Sequence, residues 1–317
     1  MGTFIVSGPG AKDGLNEVFT NDLNRISAGQ AQYSLLCNER GGVIDDVFVY
    51  LAADDRVIVV PNAANASIVI GTVERVLESS DVRVEDRSKS TAIIAVQGPV
   101  SQQVIEAVGL PGDLDYLRFV ELETDNGSVL IARTGYTGER GYELLVDTAA
   151  ASHWWGRLRV HAEALGGRPC GLGGRDTLRT EMGYALHGHE LSVSIDPVEA
   201  GLSWAVGWDK PQFWGREALT AERAAKREID RVPPMLDLVV AKALADLQPK
   251  LNALKKEYGD KQEELAKHLK KNHKDNHSRR GLLQMVADRR SHLRYLEKND
   301  KRRYNALVKI GRASCRE

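Results

Sequence analysis

The sequence predicts an α+β fold with extensive antiparallel sheet over residues 1–222, followed by a basic α-helical bundle. The first observation behind this prediction is that strand-like and helix-like runs alternate through residues 1–222. The second is a change in composition. Residues 1–222 hold 18 Lys and Arg against 31 Asp and Glu, a net of −13, whereas residues 223–317 hold 25 against 13, a net of +12. All five Trp and all five Phe lie at or before Trp214. We therefore expect two segments with different partners: an ordinary folded domain and a basic segment suited to a polyanion.

The strands and helices of the first segment are predicted from the spacing of its apolar residues. Two β-runs flank the turn Asn38–Gly42 closely enough to form a hairpin, and Pro99 is a favourable residue at the start of a helix. A second hairpin is predicted from the β-runs Ser128–Ala132 and Tyr142–Val146. The other strands are predicted at Thr3–Ser7, Ala31–Asn38, Gly42–Ala52, Arg56–Pro61, Val82–Asp86 and Thr91–Gln97, and helices at Ala11–Leu23, Asn65–Leu77, Val100–Val108 and Ala149–Leu165.

Length and cysteine content limit the class of protein. With 317 residues, 42% of them hydrophobic, the chain is long enough for two domains with cores of their own. Cys37, Cys170 and Cys315 stand at unrelated spacings, so they give neither a disulfide framework nor a metal-binding set, which fits a reducing compartment. No apolar run approaches 18 residues, and the first residues lack the features of a signal peptide. We therefore expect a cytoplasmic protein that does not span a membrane.

A glycine-rich turn in the second hairpin is the first candidate site. Three glycines between Gly135 and Gly141 allow positive φ and close approach of another group to the backbone. A second glycine loop, Cys170–Arg179, opens into a helix that carries Arg175. A carboxylate at Glu143 and this guanidinium, both on rigid elements, suit a ligand with fixed donors and acceptors such as a fused heterocycle. The alternative is an ordinary hairpin and a helix start with a surface ion pair.

Two adjacent carboxylates form the second candidate site. Asp45 and Asp46 lie in the middle of a strand that is otherwise apolar. Because neighbouring strand residues face opposite sides, one of the two carboxylates is expected to point into the interior or a pocket. A buried carboxylate needs hydrogen-bond donors or a cation. Its role is therefore either structural, bonded to backbone amides, or chemical, as an acid, base or electrostatic anchor.

Seven motifs occur in an order that matches a known family. Residues 2–222 resemble the aminomethyltransferase, or T-protein, of the glycine cleavage system. The motifs are Gln30-Ala-Gln-Tyr-Ser, Gly41-Gly-Val-Ile-Asp-Asp, Val60-Pro-Asn-Ala-Ala-Asn, Ala95-Val-Gln-Gly-Pro, Gly135-Tyr-Thr-Gly-Glu-Arg-Gly-Tyr-Glu, Cys170-Gly-Leu-Gly-Gly-Arg-Asp-Thr-Leu-Arg and Phe213-Trp-Gly-Arg-Glu-Ala-Leu. The resemblance implies a folate-binding, T-protein-like domain. Its members transfer the one-carbon unit from the aminomethyl-lipoyl arm of the H-protein to tetrahydrofolate and release ammonia.

The resemblance also assigns site residues. It implies that Glu143 and Arg175 hold the pterin, and that Tyr33, Asn62 and Tyr136 line the folate pocket. A catalytic aspartate of the Asp45–Asp46 pair lies beside the attacking folate nitrogen, and the resemblance favours Asp45, although the strand pattern does not choose between them. Its carboxylate orients the folate and stabilises the positive charge that develops at the transferred carbon. This chemistry requires no metal. The family extends further at both ends, so we expect a folate pocket with missing walls.

The basic segment predicts a helical bundle. Residues 235–309 are almost continuously helix-forming, and turns at Gly259, Asn272–Asn276 and Lys298–Lys301 divide them into about three helices. His268, His273 and His277 are poorly spaced for a tetrahedral metal site. Cation-rich helices joined by a polar turn suit RNA phosphates better, and the alternative is a solvated charged surface.

A second resemblance covers part of this segment. Residues 268–308 resemble the C-terminal half of small-subunit ribosomal protein S15, a family that binds rRNA. The resemblance implies direct rRNA contacts at His268, Asp275 and Ser278. Supporting backbone contacts are implied at Arg279, Arg280, Arg289, Arg290 and Tyr295.

The domain organisation that follows has four parts. An aminomethyltransferase-like domain, incomplete relative to its family, spans residues 1–222, and a helical linker of unknown origin spans 223–267. The rRNA-binding helices span residues 268–309. Residues 310–317 resemble a translated sequencing adapter rather than a native tail. This organisation predicts a chimera. Three functions remain open: a folate-dependent aminomethyltransferase, an rRNA-binding protein, and a fused chain with no selected function.

Overall fold

The computed structural model of this chain describes residues 1–229 and two isolated positions, Lys256 and Asp260. The chain divides into two compact units, residues 1–227 and residues 228–317, and the description below concerns the first. Its strands are β1 Phe4–Ser7, β2 Gln30–Cys37, β3 Val43–Ala53, β4 Arg56–Pro61, β5 Arg83–Asp86, β6 Thr91–Gln97, β7 Phe119–Thr124, β8 Gly127–Ala132 and β9 Gly141–Asp147. Its helices are α1 Ala11–Val18, α2 Ala66–Leu77, α3 Ser101–Ala107, α4 Ala151–Ala164, α5 Leu172–Met182 and α6 Arg216–Ile229.

The strands form two antiparallel sheets. The first has the order β2-β3-β4-β1-β5, and the second has the order β6-β9-β8-β7. Strand β1 lies in the interior of its sheet, because it pairs with β4 on one side and β5 on the other. These sheets confirm the predicted α+β class for residues 1–222.

Alternation along the strands places the core in three layers. On β3, Val47 and Val49 pack with α1 and α2, whereas Tyr50 packs with residues of the second sheet. On β8, Val129 packs with α3 and α4, whereas Leu130 faces the first sheet. The result is a helix–sheet–sheet–helix arrangement in which both sheets are covered on both faces.

The structure corrects two predictions in this region. The helix predicted over Ala11–Leu23 ends at Val18, and Phe19 is extended, with φ −90° and ψ 153°. Contacts with residues distant in the chain end the helix at this point. The Thr20 hydroxyl donates to Ala205 O, and the buried Lys210 donates to the carbonyl of Phe19 at 2.6 Å. Strand β7 was not predicted at all, because alternating acidic residues such as Glu121 give an edge strand little apolar character.

The segment that follows α5 packs against one end of the β2–β3 hairpin. Leu191, Val206 and Phe213 form a buried cluster with Leu35 and other residues of the hairpin. Helix α6 then runs through position 222, which the sequence analysis gave as the domain boundary; that boundary stays a prediction. Among the residues that the structure describes, no helix is both long enough and apolar enough to cross a bilayer.

Candidate active site

The Asp45–Asp46 pair lies where the first sheet narrows. Strand β2 pairs with β3 through both aspartates, but the last pair between β3 and β4 is Val47 with Pro61. Asn62 therefore occupies the position beside the carboxylates that a longer β4 would have filled. Asp45 is 0% exposed and lies on the helix-covered face of the sheet, whereas Asp46 is half-buried on the opposite face. The predicted division of the two side chains between opposite faces is what the strand shows.

Asp45 is surrounded by amide donors. Its Oδ2 accepts from the backbone N–H of Asn62 at 2.9 Å, and its Oδ1 accepts from the side-chain amides of Asn62 at 2.9 Å and Asn65 at 2.7 Å. Asn65 is the N-cap residue of α2, yet its side chain makes no capping bond because it is directed to the carboxylate. Burial raises the pKa of Asp45, and the three donors oppose that rise. The donors thus hold the carboxylate in one orientation.

Asp46 shares a donor with its neighbour. The Asn62 side-chain amide donates to Asp46 Oδ1 at 2.7 Å as well as to Asp45, and the Tyr33 hydroxyl donates to Asp46 Oδ2 at 3.2 Å. Burial, followed by repulsion from Asp45, raises the pKa of Asp46 to about 6. Burial also raises the pKa of Tyr33, which keeps its hydroxyl a donor. Trp204, 62% exposed, stacks on the Tyr33 ring with centroids 5.4 Å apart.

The glycine-rich turn is organised around Gln97. The Gln97 side-chain amide donates to the carbonyls of Thr134 at 3.2 Å and Tyr142 at 3.1 Å, on opposite sides of the turn. A Cβ at Gly135 or Gly141 would stand within 2.2 Å of Gln97 Oε1. A side chain at either position would push the Gln97 amide away from these two carbonyls, so the glutamine across the turn favours glycine there, a reason that the sequence alone did not provide.

Glu143 is held at the start of β9. Its Oε2 accepts from the Thr134 hydroxyl at 2.6 Å, and Thr134 lies 3.5 Å from the hydroxyl of the buried Tyr50. Burial raises the pKa of Glu143, and the Thr134 hydrogen bond and the nearby charge of Arg175 oppose the rise. Glu143 and Arg175 both lie in the described part of the chain, and no ion pair joins them. The ion pair considered as an alternative in the sequence analysis is therefore absent.

Arg175 instead stacks on an aromatic ring. Its guanidinium carbon lies 4.3 Å from the centroid of Tyr136, and the Tyr136 ring stacks on Tyr184 with centroids 5.8 Å apart. The Tyr136 hydroxyl donates to the carbonyl of Ala185. Burial is the largest cause that raises the pKa of Tyr136 to about 12, and the Asp46 carboxylate contributes to the rise. The Tyr136 hydroxyl therefore responds to the charge of Asp46.

The loop after α5 is fixed to its helix and to β3. Arg179, almost fully buried, donates to Asp176 and Glu190 at 2.8 Å each and to the carbonyl of Tyr184 at 3.1 Å. Further along the loop, His187 lies 3.0 Å from the Asn65 side-chain nitrogen. These contacts bring a residue 142 positions along the chain within reach of the Asp45 environment.

The seven predicted site residues of the first segment lie around these networks. Direct hydrogen bonds join Tyr33 to Asp46, and Asn62 to both aspartates. Tyr136 and Arg175 meet by stacking, and Glu143 is near enough to Arg175 for its pKa to respond. The predicted rRNA contacts lie outside the described residues.

Sequence reasoning missed four further residues of these networks. Asn65 belonged to a quoted motif, three positions after Asn62, but was read as the start of a helix. Gln97 likewise stood in a quoted motif, in the run that ends at Pro99. Thr134 and His187 gave no sequence signal, because their partners are distant in the chain.

Comparison with known proteins shows the family of the first segment. A family model described as the GCVT N-terminal domain matches residues 1–210, about two thirds of the chain. The chain belongs to this family. A second model, Ribosomal protein S15, matches residues 260–311, so two different families match successive parts of one chain. The architecture is consistent with the predicted chimera.

Relatives of the GCVT part are named aminomethyltransferase. The protein of that name from Parafrankia sp. (strain EAN1pec) is 52% identical over 225 residues, and that from Mycobacterium tuberculosis (strain ATCC 25618 / H37Rv) is 48% identical over the same length. In both comparisons the match covers 71% of this chain and 61% of the relative, so the chain spans about three fifths of their length.

A solved structure matches the same part of the chain. The glycine cleavage system aminomethyltransferase T from Bartonella henselae is 30% identical, with a TM-score of 0.65. The match covers 71% of this chain and 61% of that one. The helix–sheet–sheet–helix arrangement is thus the fold of the T-protein.

Proposed function

We propose that residues 1–222 act as a tetrahydrofolate-dependent aminomethyltransferase of the glycine cleavage system. The observation that carries the proposal is that the loop after α5 contacts two networks: the Arg175–Tyr136 stack, through Ala185, and the Asn62-bridged pair Asp45–Asp46, through His187 and Asn65. Membership of the GCVT family and the names of the relatives support the same reaction class.

The pterin would be held by a carboxylate and an aromatic–cation surface. Glu143 has an oxygen directed to Thr134 and a second oxygen left for a ring N–H or amino group. Arg175 adds a planar guanidinium, and the exposed Trp204 ring, stacked on Tyr33, offers a further flat apolar face. Carboxylate, guanidinium and aromatic groups together match the donors, acceptors and faces of a reduced pterin.

The transfer itself would use the carboxylate pair. The substrate is an aminomethyl group bound through sulfur to the lipoyl arm of the H-protein. Folate nitrogens form bonds to its carbon while the carbon–sulfur and carbon–amine bonds break, so that a thiol and ammonia leave. A positive charge develops on the carbon during this exchange, and a fixed carboxylate nearby stabilises it.

We propose Asp45 as the aspartate that performs this role, with Asp46 as its neighbour in the pair. The preorganised orientation of Asp45, held by three amide donors, supports the assignment, because a fixed anion needs no rearrangement during the reaction. Asp46 has the greater exposure and a hydroxyl partner, so it is positioned to contact bound folate as well.

Folate binding tests the proposal directly. Titration calorimetry of the 317-residue chain with tetrahydrofolate is expected to give one site per molecule. Arg175→Met should weaken binding about thirtyfold, the equivalent of about 2 kcal/mol, because it removes a charged donor that stacks in the site. Arg159→Met is the matched control, since Arg159 is an exposed residue of α4 whose ion pair among the described residues is with Glu163. Absence of heat with the unaltered chain would end the enzyme proposal and favour a fused chain with no selected function.

A second function, rRNA binding by residues 268–308, is supported by the ribosomal protein S15 match and by the net charge of +12 over residues 223–317. A helix-junction fragment of small-subunit rRNA should bind with an affinity that falls steeply with salt. Arg279→Ala should reduce the salt dependence by about one ion, because one phosphate contact is lost, whereas Asp275→Ala should barely change it. Equal affinity for an unrelated duplex would reduce this function to general charge attraction.

The cytoplasmic location also remains a proposal. Of the three cysteines, Cys37 and Cys170 are described, and neither forms a disulfide. Free thiols agree with a reducing compartment.

A further inference from the structure

His187 makes two contacts that determine which of its ring nitrogens carries hydrogen. Its Nε2 lies 3.2 Å from the carbonyl oxygen of Val43, and its Nδ1 lies 3.0 Å from the side-chain nitrogen of Asn65. A carbonyl oxygen only accepts, so Nε2 must carry the hydrogen that lies between it and Val43. In the neutral ring Nδ1 is then left as an acceptor for the Asn65 amide.

Asn65 has two amide hydrogens, and this arrangement uses both. One is donated to Asp45 Oδ1 at 2.7 Å and the other to His187 Nδ1. If the Asn65 side chain were turned over, its oxygen would face a carboxylate oxygen and an unprotonated ring nitrogen, both electron-rich. The histidine therefore fixes which end of the Asn65 amide faces Asp45.

The backbone around His187 is itself tied to the strand that carries Asp45. Val43, two residues before Asp45, donates its N–H to the carbonyl of Ile195 at 3.0 Å and accepts from His187. A Cβ at Gly42 would stand 1.9 Å from the carbonyl oxygen of Val193, so this loop lies directly against the start of β3. The histidine is thus held in place by the same strand on which it acts.

We propose that His187 is a positioning residue for the Asp45 carboxylate, acting through Asn65. The effect on folate rests on the function proposed above, but the effect on Asp45 does not. Burial is the largest influence on the pKa of Asp45 and raises it, whereas the Asn65 hydrogen bond and, more weakly, the charge of His187 itself lower it. Without a second partner the Asn65 amide rotates more freely, and the carboxylate loses part of that stabilisation.

The test compares two histidines of the same loop in the full chain. His187→Phe keeps a ring of similar size and removes both contacts; His189→Phe is the control, because His189 is exposed. Titration of the Asp45 carboxyl by carbon NMR, without ligand, should show a higher Asp45 pKa in His187→Phe than in the unaltered chain. In His189→Phe the Asp45 pKa should be unchanged. Tetrahydrofolate affinity should fall about tenfold in His187→Phe only.

The two readouts separate this inference from the proposed function. A residue that merely filled space would lower stability without moving the Asp45 titration, and a residue that acted by its charge alone would raise the Asp45 pKa equally with Asn65 or with Asn65→Ala in place. An unchanged Asp45 titration in folded His187→Phe would overturn the proposal, even if folate bound normally. If that variant does not fold, nitrogen NMR of the unaltered chain decides: hydrogen on Nε2 supports the proposal, and hydrogen on Nδ1 overturns it.

Discussion

Replacing Asp45 with alanine is expected to lower the free energy of unfolding by about 3 kcal/mol and to remove folate binding. The backbone N–H of Asn62 and the side-chain amides of Asn62 and Asn65 would all lose an acceptor at a position that is 0% exposed. Donors left without partners in a buried site cost about 1–3 kcal/mol each, and rearrangement recovers part of the sum. This variant combines the largest structural and functional losses that the site predicts.

Urea unfolding followed by tryptophan fluorescence measures this effect without interference from the basic segment. All five Trp lie at or before Trp214, so the signal reports the first unit alone. Asp54→Ala is the control, because the Asp54 side chain is 84% exposed and its ion pair with Lys12 should contribute less than about 1 kcal/mol. If the two variants unfolded at the same urea concentration, the hydrogen-bond network around Asp45 would have no energetic role.

Replacing the next residue, Asp46, with asparagine is expected to raise the free energy of unfolding at neutral pH. Burial and the neighbouring Asp45 raise the pKa of Asp46 from the ordinary 3.8 to about 6. Below pH 3.8 the carboxyl is protonated in both states and costs nothing. As the pH rises from 3.8 to 6, Asp46 loses its proton in the unfolded chain before it does so in the folded chain. The folded state is therefore progressively disfavoured, and the full decrease in stability is reached above pH 6. The shift corresponds to at most about 3 kcal/mol.

Asp46→Asn should therefore stabilise the first unit at pH 8 by about 2 kcal/mol and have little effect at pH 4. Asparagine keeps an oxygen for the Asn62 amide and offers its own amide to the Tyr33 hydroxyl, so both contacts survive. Fluorescence-monitored urea unfolding at the two pH values gives the measurement. A variant that was less stable than the unaltered chain at pH 8 would show that the charged form of Asp46 is favoured by the fold.

The part of the site that follows from local spacing was accessible from the sequence. Period-two alternation along β3 correctly divided Asp45 from Asp46, and the glycines of the second hairpin correctly indicated a turn with something close to its backbone. The group close to the backbone is the Gln97 side chain. Residue spacing cannot reveal it, because a side chain that crosses a turn produces no periodic pattern in the sequence. His187 is a similar case: it meets Asn65 only because Arg179 and the β3 backbone fix the loop after α5. The end of α1 was misjudged because Lys210, nearly 200 residues away, takes the carbonyls that would have continued the helix.

The Asn62 amide has two hydrogens and three acceptors within reach, Asp45 Oδ1, Asp46 Oδ1 and Asp46 O. Asn65 also donates to Asp45 Oδ1, so all three acceptors can receive a hydrogen at the same time. A ligand N–H that reached Asp46 would therefore displace an Asn62 hydrogen bond, and the Asn62 amide could then turn fully to Asp45.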